Sequence, residues 1–267
     1  MNVAVMIKQV PETKSVKMDE KTGTVIREGV ESIINPLDLY AIELAIRIKE
    51  SYPNIHLTGI SMGPPKAINA LREAIAMGID DAILLSDKLL AGSDTWSTAY
   101  ALAKCLEKEA NFSLIICGER ATDGDTGQVG PEIASYLNIP VVSYVNKFEE
   151  IIENRIFLHR QVEDGSEILS SSLPCLITVV KEVSEPRLPT FRGKLKAKNA
   201  DIRIWKISDL EIEKEKIGLD GSPTRVAKIF HPKITRECDL HFAKDPQKIP
   251  YAVEKLLEFI KKRACCE

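Results

Sequence analysis

Over the first 145 positions, short apolar runs alternate with segments whose apolar residues recur at helical spacing. Asn2–Ile7 is a strand that gives way to Lys8-Gln9-Val10-Pro11. From Asn35-Pro36-Leu37-Asp38 a helix follows: Leu39, Ile42, Ala45 and Ile46 share a face, and Asp38 suits the N-cap. His56–Ser61 is a second strand, closing in Met62-Gly63-Pro64-Pro65. A helix through Ala67, Leu71, Ala74 and Ile75 then ends at Gly78, a suitable residue just past a helix end. Ala82–Leu85 is a third strand and Asp94–Glu109 a helix, with Trp96, Ala99, Leu102 and Ala103 on one face. Leu114–Cys117 is the fourth strand, Glu132–Leu137 opens a helix, and Pro140–Tyr144 is the fifth strand.

Strands this uniformly apolar, separated by helices, predict an α/β fold. Its sheet is mostly parallel and doubly wound, with helices on both faces. Ligands of such sheets bind outside the carboxyl ends of the strands. The unusual loops, 6–11, 62–65, 86–95 and 118–127, all fall on that edge and are expected to converge on one nucleotide-sized crevice.

After residue 145 the pattern changes. Lys147–Ile152 and Arg155–Val162 flank Glu153-Asn154, and Glu163-Asp164-Gly165-Ser166 turns the chain into Glu167-Ile168-Leu169. Antiparallel strands are expected there. Leu176–Val180 is another apolar strand. From Leu188 to Gly221 periodicity fades, which reads as an extended C-terminal arm in need of another surface. Residues 247–263 form a terminal amphipathic helix with Ala252, Leu256, Leu257 and Ile260 on one side.

The segment Gly118-Glu119-Arg120-Ala121-Thr122-Asp123-Gly124-Asp125-Thr126-Gly127-Gln128-Val129-Gly130-Pro131 is far more polar and bendable than a connection requires. Glycines at 124 and 127 let the backbone take φ > 0 and turn its amides toward a ligand. The helix start downstream adds aligned N–H groups, a suitable seat for phosphate. Asp123 and Asp125 would repel a phosphate unless they point away, and only Arg120 compensates nearby. The spacing is GxxGxxG, neither the dinucleotide GxGxxG nor the GxxxxGK[ST] loop. A plain strand-to-helix turn capped by Asp125 or Thr126 remains the alternative.

Composition narrows the classes. Of 267 residues 44% are hydrophobic and 28% charged, the balance of a soluble globular protein, and a net charge of −3 provides no basic field for nucleic acid. No apolar run approaches the ~18 residues of a membrane span. Asn2–Ile7 runs into Lys8 without a cleavage-site pattern, so no signal peptide and a cytoplasmic location are expected. Cys105, Cys117 and Cys175 lie in apolar stretches and read as buried. Cys238, Cys265 and Cys266 lie toward the C-terminus without any CxxC, so no metal site is expected. His56, His159, His231 and His241 are scattered, and no nucleophile–base arrangement stands out. Redox chemistry here would have to come from a bound cofactor.

Lys8-Gln9-Val10-Pro11, Asn35–Asp38, Ser61-Met62-Gly63-Pro64, Ala74–Gly78, Ala91-Gly92-Ser93-Asp94-Thr95 and Gly118–Pro131 resemble, in order and spacing, the β subunit of electron-transfer flavoproteins. So does Glu185-Pro186-Arg187 followed by Lys194-Leu195-Lys196-Ala197-Lys198. The likeness runs from residue 1 to about 200. It implies an adenine-nucleotide α-hydrolase-like domain over 1–185, a partner-recognition loop over 186–200, and an arm with a terminal helix over 201–267 that wraps an α subunit carrying FAD. It also implies that Met6, Asn35, Pro36, Leu37, Asp38 and Met62, with residues 118–129 (Gly118, Glu119, Arg120, Ala121, Thr122, Asp123, Gly124, Asp125, Thr126, Gly127, Gln128, Val129), hold an adenine nucleotide.

Ordinary members hold a structural AMP there; electron-bifurcating members hold a second FAD that takes hydride from NADH. The loop Ala121–Gln128 resembles the bifurcating type. So does Gly92-Ser93-Asp94-Thr95-Trp96-Ser97-Thr98, although Trp96 stands where an aliphatic residue is usual and Ser93 where alanine is common. Thr95, Ser97 and Thr98 are then candidates near the flavin ring. The implied partners are ferredoxin and a flavin dehydrogenase, of acyl-CoA or 2-hydroxy-acid type. The dehydrogenase is expected to dock on Arg187, Phe191, Arg192, Lys194 and Leu195. AMP in place of FAD is the alternative within the family; a universal-stress-type nucleotide sensor is the alternative outside it.

Overall fold

Strands without polar alternation must be covered on both faces, and here helices do it. The computed structural model describes residues 1–12, 17–18, 25–26, 32–109, 111–227 and 246–264; His231, His241, Cys238, Cys265 and Cys266 lie outside these. The first half contains β1 (Asn2–Met6), β2 (Gln9–Pro11), β3 (Lys17–Met18), β4 (Val25–Ile26), β5 (Ser32–Ile34), α1 (Asp38–Ser51), β6 (His56–Met62), α2 (Ile68–Met77), β7 (Asp81–Leu85), α3 (Thr95–Glu109), β8 (Phe112–Gly118) and α4 (Val129–Leu137). It continues with β9 (Val141–Ile152), β10 (Arg155–Val162), β11 (Gly165–Ser172), β12 (Cys175–Val179), α5 (Phe191–Asn199), β13 (Arg203–Trp205) and α6 (Ile249–Ala264).

Nine strands form one sheet in the order β11-β10-β9-β12-β8-β1-β6-β7-β13. Pairing is parallel from β12 through β13, and β10 runs antiparallel to both β9 and β11. Side chains of β1 divide by alternation. Val3 and Val5 enter a core with Ile42 and Leu71 of α1 and α2; Ala4 and Met6 enter a second core with Tyr100 and Ile133 of α3 and α4. Gly78 ends α2 at φ 146°, and Asp94 caps α3 by accepting the Ser97 amide at 3.0 Å. Among the described residues no helix is long and apolar enough to cross a membrane.

The structure departs from the sequence pattern in two places. The expected separate strands at 140–144 and 147–152 are one strand, β9, with Tyr144 at φ 60° and its amide donated to Thr178 Oγ1 at 3.1 Å. The irregularity lets the first part of β9 pair parallel with β12 while the rest pairs antiparallel with β10.

The aperiodic stretch after Leu188 is not an unsupported arm through residue 221. It forms α5, then β13 alongside β7, and residues 1–227 make one compact unit. Residues 228–267 make a second unit, which includes α6. The β13 edge is held by polar contacts rather than a hydrophobic run. Arg203 pairs with Glu109 at 2.7 Å, and Lys108 sits 4.6 Å from the Trp205 ring.

Helix α5 begins where Thr190 Oγ1 accepts the Gly193 amide at 2.9 Å. It lies so close to α2 that a Cβ on Gly193 would stand 2.0 Å from the Ala76 carbonyl oxygen. Gly193→Ala is therefore expected to push α5 off α2 and to destabilise the protein by about 1–3 kcal/mol, measured as a lower urea midpoint at unchanged m-value.

Candidate functional site

Asn35 and Asp38, both buried, join three separate loops. The Asn35 amide group donates to Asp38 Oδ1 at 2.8 Å and to the Arg120 carbonyl at 2.9 Å; its own oxygen accepts the Thr122 amide at 3.1 Å. Asp38 Oδ2 accepts the Lys8 amide at 2.7 Å, and the Gly118 amide also donates to this carboxylate. Asp38 is thus the first residue of α1 rather than its N-cap, which is Leu37. Gly118 is required here, since a Cβ would lie 2.5 Å from Asp38 Oδ1 and 2.9 Å from the Leu37 carbonyl. Burial pushes the Asp38 carboxyl up to about 7, against the lowering pull of the Lys8 amide, the Asn35 side chain, the Lys8 charge and the Gly118 amide.

The 118–128 loop resolves its own charge problem. Lys8 Nζ meets Asp123 at 2.7 Å and Arg120 Nε meets Asp125 at 2.8 Å. Both aspartates are neutralised locally, with Lys8 supplying the second cation that the local sequence lacks. The left-handed backbone falls on Asp125 (φ 54°) and Gly127 (φ 66°), not on Gly124 as expected. Asp125 holds that conformation through its ion pair and its amide, which donates to the Ala121 carbonyl at 2.8 Å. A Cβ on Gly124 would meet no protein atom within 4 Å. Neither Asp125 nor Thr126 caps α4: its N-cap residue is Gln128, and no side chain accepts there.

A cavity of about 750 Å³ opens beside this loop at the carboxyl edge of β1, β6 and β8, within the size of a small-ligand site. Met6, Asn35, Asp38, Met62, Thr95, Thr98, Gly118, Glu119, Arg120, Ala121, Gly124, Thr126, Gly127, Gln128 and Val129 all line it. Pro36, Leu37, Thr122, Asp123 and Asp125 do not; they hold the loops from behind or face solvent. Ser97 is fully buried and accepts a hydrogen bond from Ser222 at 3.3 Å, which removes it from the ring candidates. Loops 62–65 and 86–91 line a neighbouring cleft of about 660 Å³, joined to the first only through Met62, so the expected single crevice is two.

Some lining residues were missed. Pro223, Thr224 and Val226 arrive from far along the chain. Asp94 brings them in: its Oδ2 accepts the Thr224 amide at 2.9 Å and hydroxyl at 2.8 Å, and its amide donates to Ser222 Oγ at 2.9 Å. Burial would raise the Asp94 carboxyl, but these donors and the Ser97 amide together hold it below its ordinary value. Glu132 of α4 accepts the Thr95 hydroxyl at 3.1 Å on one oxygen and buries the other, which has no hydrogen-bond partner among the described residues. Burial, with Asp94 nearby, raises it. The turn-forming residues Gly221-Ser222-Pro223-Thr224 were the only sequence signal for this wall.

The expected docking residues do not act alike. Phe191 and Leu195 are exposed on α5 (78% and 50%), and Arg192 and Lys194 are exposed beside them. Arg187 is committed internally: it forks onto Glu43 (2.8 and 3.1 Å) and Glu50 (2.6 and 3.0 Å) of α1. Glu43 is almost fully buried; burial would raise it, but Arg187 and Arg47 hold it below the carboxylate range. The remaining chemistry is quiet. Cys105, Cys117 and Cys175 are buried free thiols, with burial pushing Cys105 up to about 12 and Cys175 to about 11. His56 and His159 pair with surface carboxylates, Asp81 at 3.1 Å and Glu149 at 2.7 Å.

The model of the electron transfer flavoprotein domain matches residues 22–210. The chain belongs to the electron transfer flavoprotein family. It is 46% identical over 257 residues to an electron transfer flavoprotein subunit beta of Thermoanaerobacterium thermosaccharolyticum, covering 96% of this chain and 98% of that one. It is also 46% identical over 232 residues to subunit CarD of the caffeyl-CoA reductase-Etf complex of Acetobacterium woodii, 87% of this chain and 88% of that one. Protein FixA of Azotobacter vinelandii is 40% identical over 239 residues, 87% and 85% of the two chains. Electron transfer flavoproteins work through bound nucleotides, and this cavity sits where an α/β sheet binds them.

The Asp38 shift makes a pH prediction. Its folded value of about 7 lies above the ordinary 3.8, so its stabilising share is complete below about pH 4 and is lost as the pH rises through 7. Between pH 5 and 7.5 the denaturation free energy of the parent is expected to fall relative to that of Asp38→Asn, by at most about 1.4 kcal/mol per pH unit. Parallel pH profiles for the two proteins would contradict this.

Proposed function

We propose that this chain is the β subunit of a heterodimeric electron transfer flavoprotein of the bifurcating type, acting in the cytoplasm, with FAD in its own α/β domain. The cavity beside the 118–128 loop carries the reading. Its volume suits an extended nucleotide, the α4 start presents first-turn amides that no side chain caps, and Gly124 leaves open space where a phosphate would approach. With Lys8 and Arg120 engaged by aspartates, those neutral amides are available to hold phosphate oxygens. Met6 and Met62 supply apolar walls for an adenosine, while Asn35 and Asp38 fix the loops around it. The Ala121–Gln128 sequence, which resembles the bifurcating type, favours FAD over AMP, and the likeness to CarD, a reductase-Etf complex subunit by name, fits a subunit that works inside such a complex.

Bound FAD supplies the redox chemistry: two-electron oxidation of NADH, one electron going to ferredoxin and the other, through the α-subunit FAD, to a flavin dehydrogenase of acyl-CoA or 2-hydroxy-acid type. The chain's own part is to orient that group and set the polarity around it. Thr95, Thr98 and Glu132 present hydroxyl and carboxyl groups to the cavity, where they can hydrogen-bond a ligand. Residues 201–267 would hold the α subunit, and α6, with Leu256, Leu257 and Ile260 exposed, suits that role. Residues 186–200 would dock the dehydrogenase, Phe191 as the apolar contact and Arg192, Lys194 and Lys198 as steering charges.

Two measurements test this. Purified heterodimer is expected to release two FAD and no AMP on denaturation; one FAD with one AMP would identify the AMP-holding type. Gly124→Val should lower the nucleotide content without lowering the stability of nucleotide-free protein, because the added side chain crowds only the ligand.

The docking surface has its own test. Phe191→Ala should weaken the dehydrogenase complex by about 1–3 kcal/mol with both flavins retained. An unchanged reduction rate at limiting heterodimer would remove α5 as the docking element.

A further inference from the structure

Trp96 is the one aromatic side chain among the described residues lining the cavity, and 44% of its surface is exposed. Its indole rests on Tyr136 of α4, with ring centroids 4.7 Å apart and planes at 44°. Tyr136 in turn rests on Tyr100 of α3, at 5.3 Å and 52°. Tyr100 is buried, and its hydroxyl accepts the Glu213 amide at 3.2 Å. Three rings from two helices thus form a brace whose last member is fixed in the core. A braced indole has little rotamer freedom left to lose when a ligand ring covers it, and aromatic pairs gain beyond the area they bury.

The same short segment carries polar groups suited to the edge of a flat ligand. Thr95 and Thr98 line the cavity on either side of Trp96 in sequence, and the Thr95 hydroxyl is already turned to Glu132. The other walls contribute apolar side chains such as Met6, Met62 and Leu102 and polar ones such as Arg120 and Gln128, and among the described residues none of them is aromatic. A nucleotide with one ring system can be seated by the methionine walls alone. A second, larger ring system finds at Trp96 an aromatic surface that an aliphatic side chain in the same place would not offer.

We propose that Trp96 is a specificity-determining residue: it stacks on the planar ring of the flavin and makes the cavity prefer a flavin dinucleotide to an adenosine phosphate. This rests on reading the cavity as the flavin site of this subunit.

Tryptophan occurs twice in the chain, at 96 and 205, so Trp205→Phe leaves Trp96 as the sole indole reporter. Ligand-free full-length chain carrying Trp205→Phe is titrated with FAD and, separately, with AMP. FAD is expected to quench Trp96 emission strongly; AMP should compete with FAD while quenching far less. In Trp96→Ala, followed by flavin fluorescence and by competition, FAD affinity should fall about tenfold, the ratio that about 1.4 kcal/mol of stacking provides. AMP affinity should stay within about twofold, showing that the fold and the phosphate seat are intact, and Trp96→Phe should retain most of the preference for FAD. Equal losses for FAD and AMP, or no loss for either, would overturn the assignment of Trp96 while leaving the nucleotide site standing. Failure of both ligands to bind the parent would overturn the flavin-site reading and this inference with it.

Discussion

The hydrogen-bonded pair of Asn35 and Asp38 is the constraint on which the rest of the site depends. Polar side chains this buried are costly unless every donor and acceptor finds a partner. Here the partners are backbone groups of residues 8, 118, 120 and 122, so satisfying two side chains also sets the spacing of three loops. The glycine at 118 follows from the same geometry, because the carboxylate occupies the place its Cβ would take. The long 118–128 segment therefore starts from a fixed root, and the Lys8–Asp123 and Arg120–Asp125 ion pairs hold its tip.

The sheet was legible from sequence because its central strands are apolar on both faces. Such runs can only be buried, and intervening helices fix their direction as parallel. The elements that were not legible share a different physics. β13 is short, half-exposed and secured by Arg203, Glu109 and Lys108, so its strand state is decided by neighbours far away in sequence. α5 carries many cations and one buried residue, Ala197, and depends on the close approach of Gly193 to α2. β9 conceals its continuity because the bulge at Tyr144 changes which side chains face inward.

At the site the same division holds. That loops would meet at the strand ends follows from topology alone. Which residue of the 123–127 turn adopts the left-handed conformation does not, because the Arg120–Asp125 ion pair and the Ala121 carbonyl decide it rather than glycine content. Ser97 shared its chemistry with Thr95 and Thr98, but its place on α3 points it into the core. The wall built from residues 223–226 required Asp94 to reach 130 positions along the chain, a pairing that no local pattern encodes.

Arg187 has a consequence for how the exposed face of α5 can work. Its guanidinium ties the entry to α5 to Glu43 and Glu50 of α1, and Lys196 donates to the Ile79 carbonyl at 3.1 Å from within the helix. A surface held at both positions cannot rearrange to suit differently shaped partners. A partner seated there would meet it in a single pose, so adaptability in such a complex would have to come from movement elsewhere. The clamp would then make α5 a fixed bearing for the remainder of the assembly.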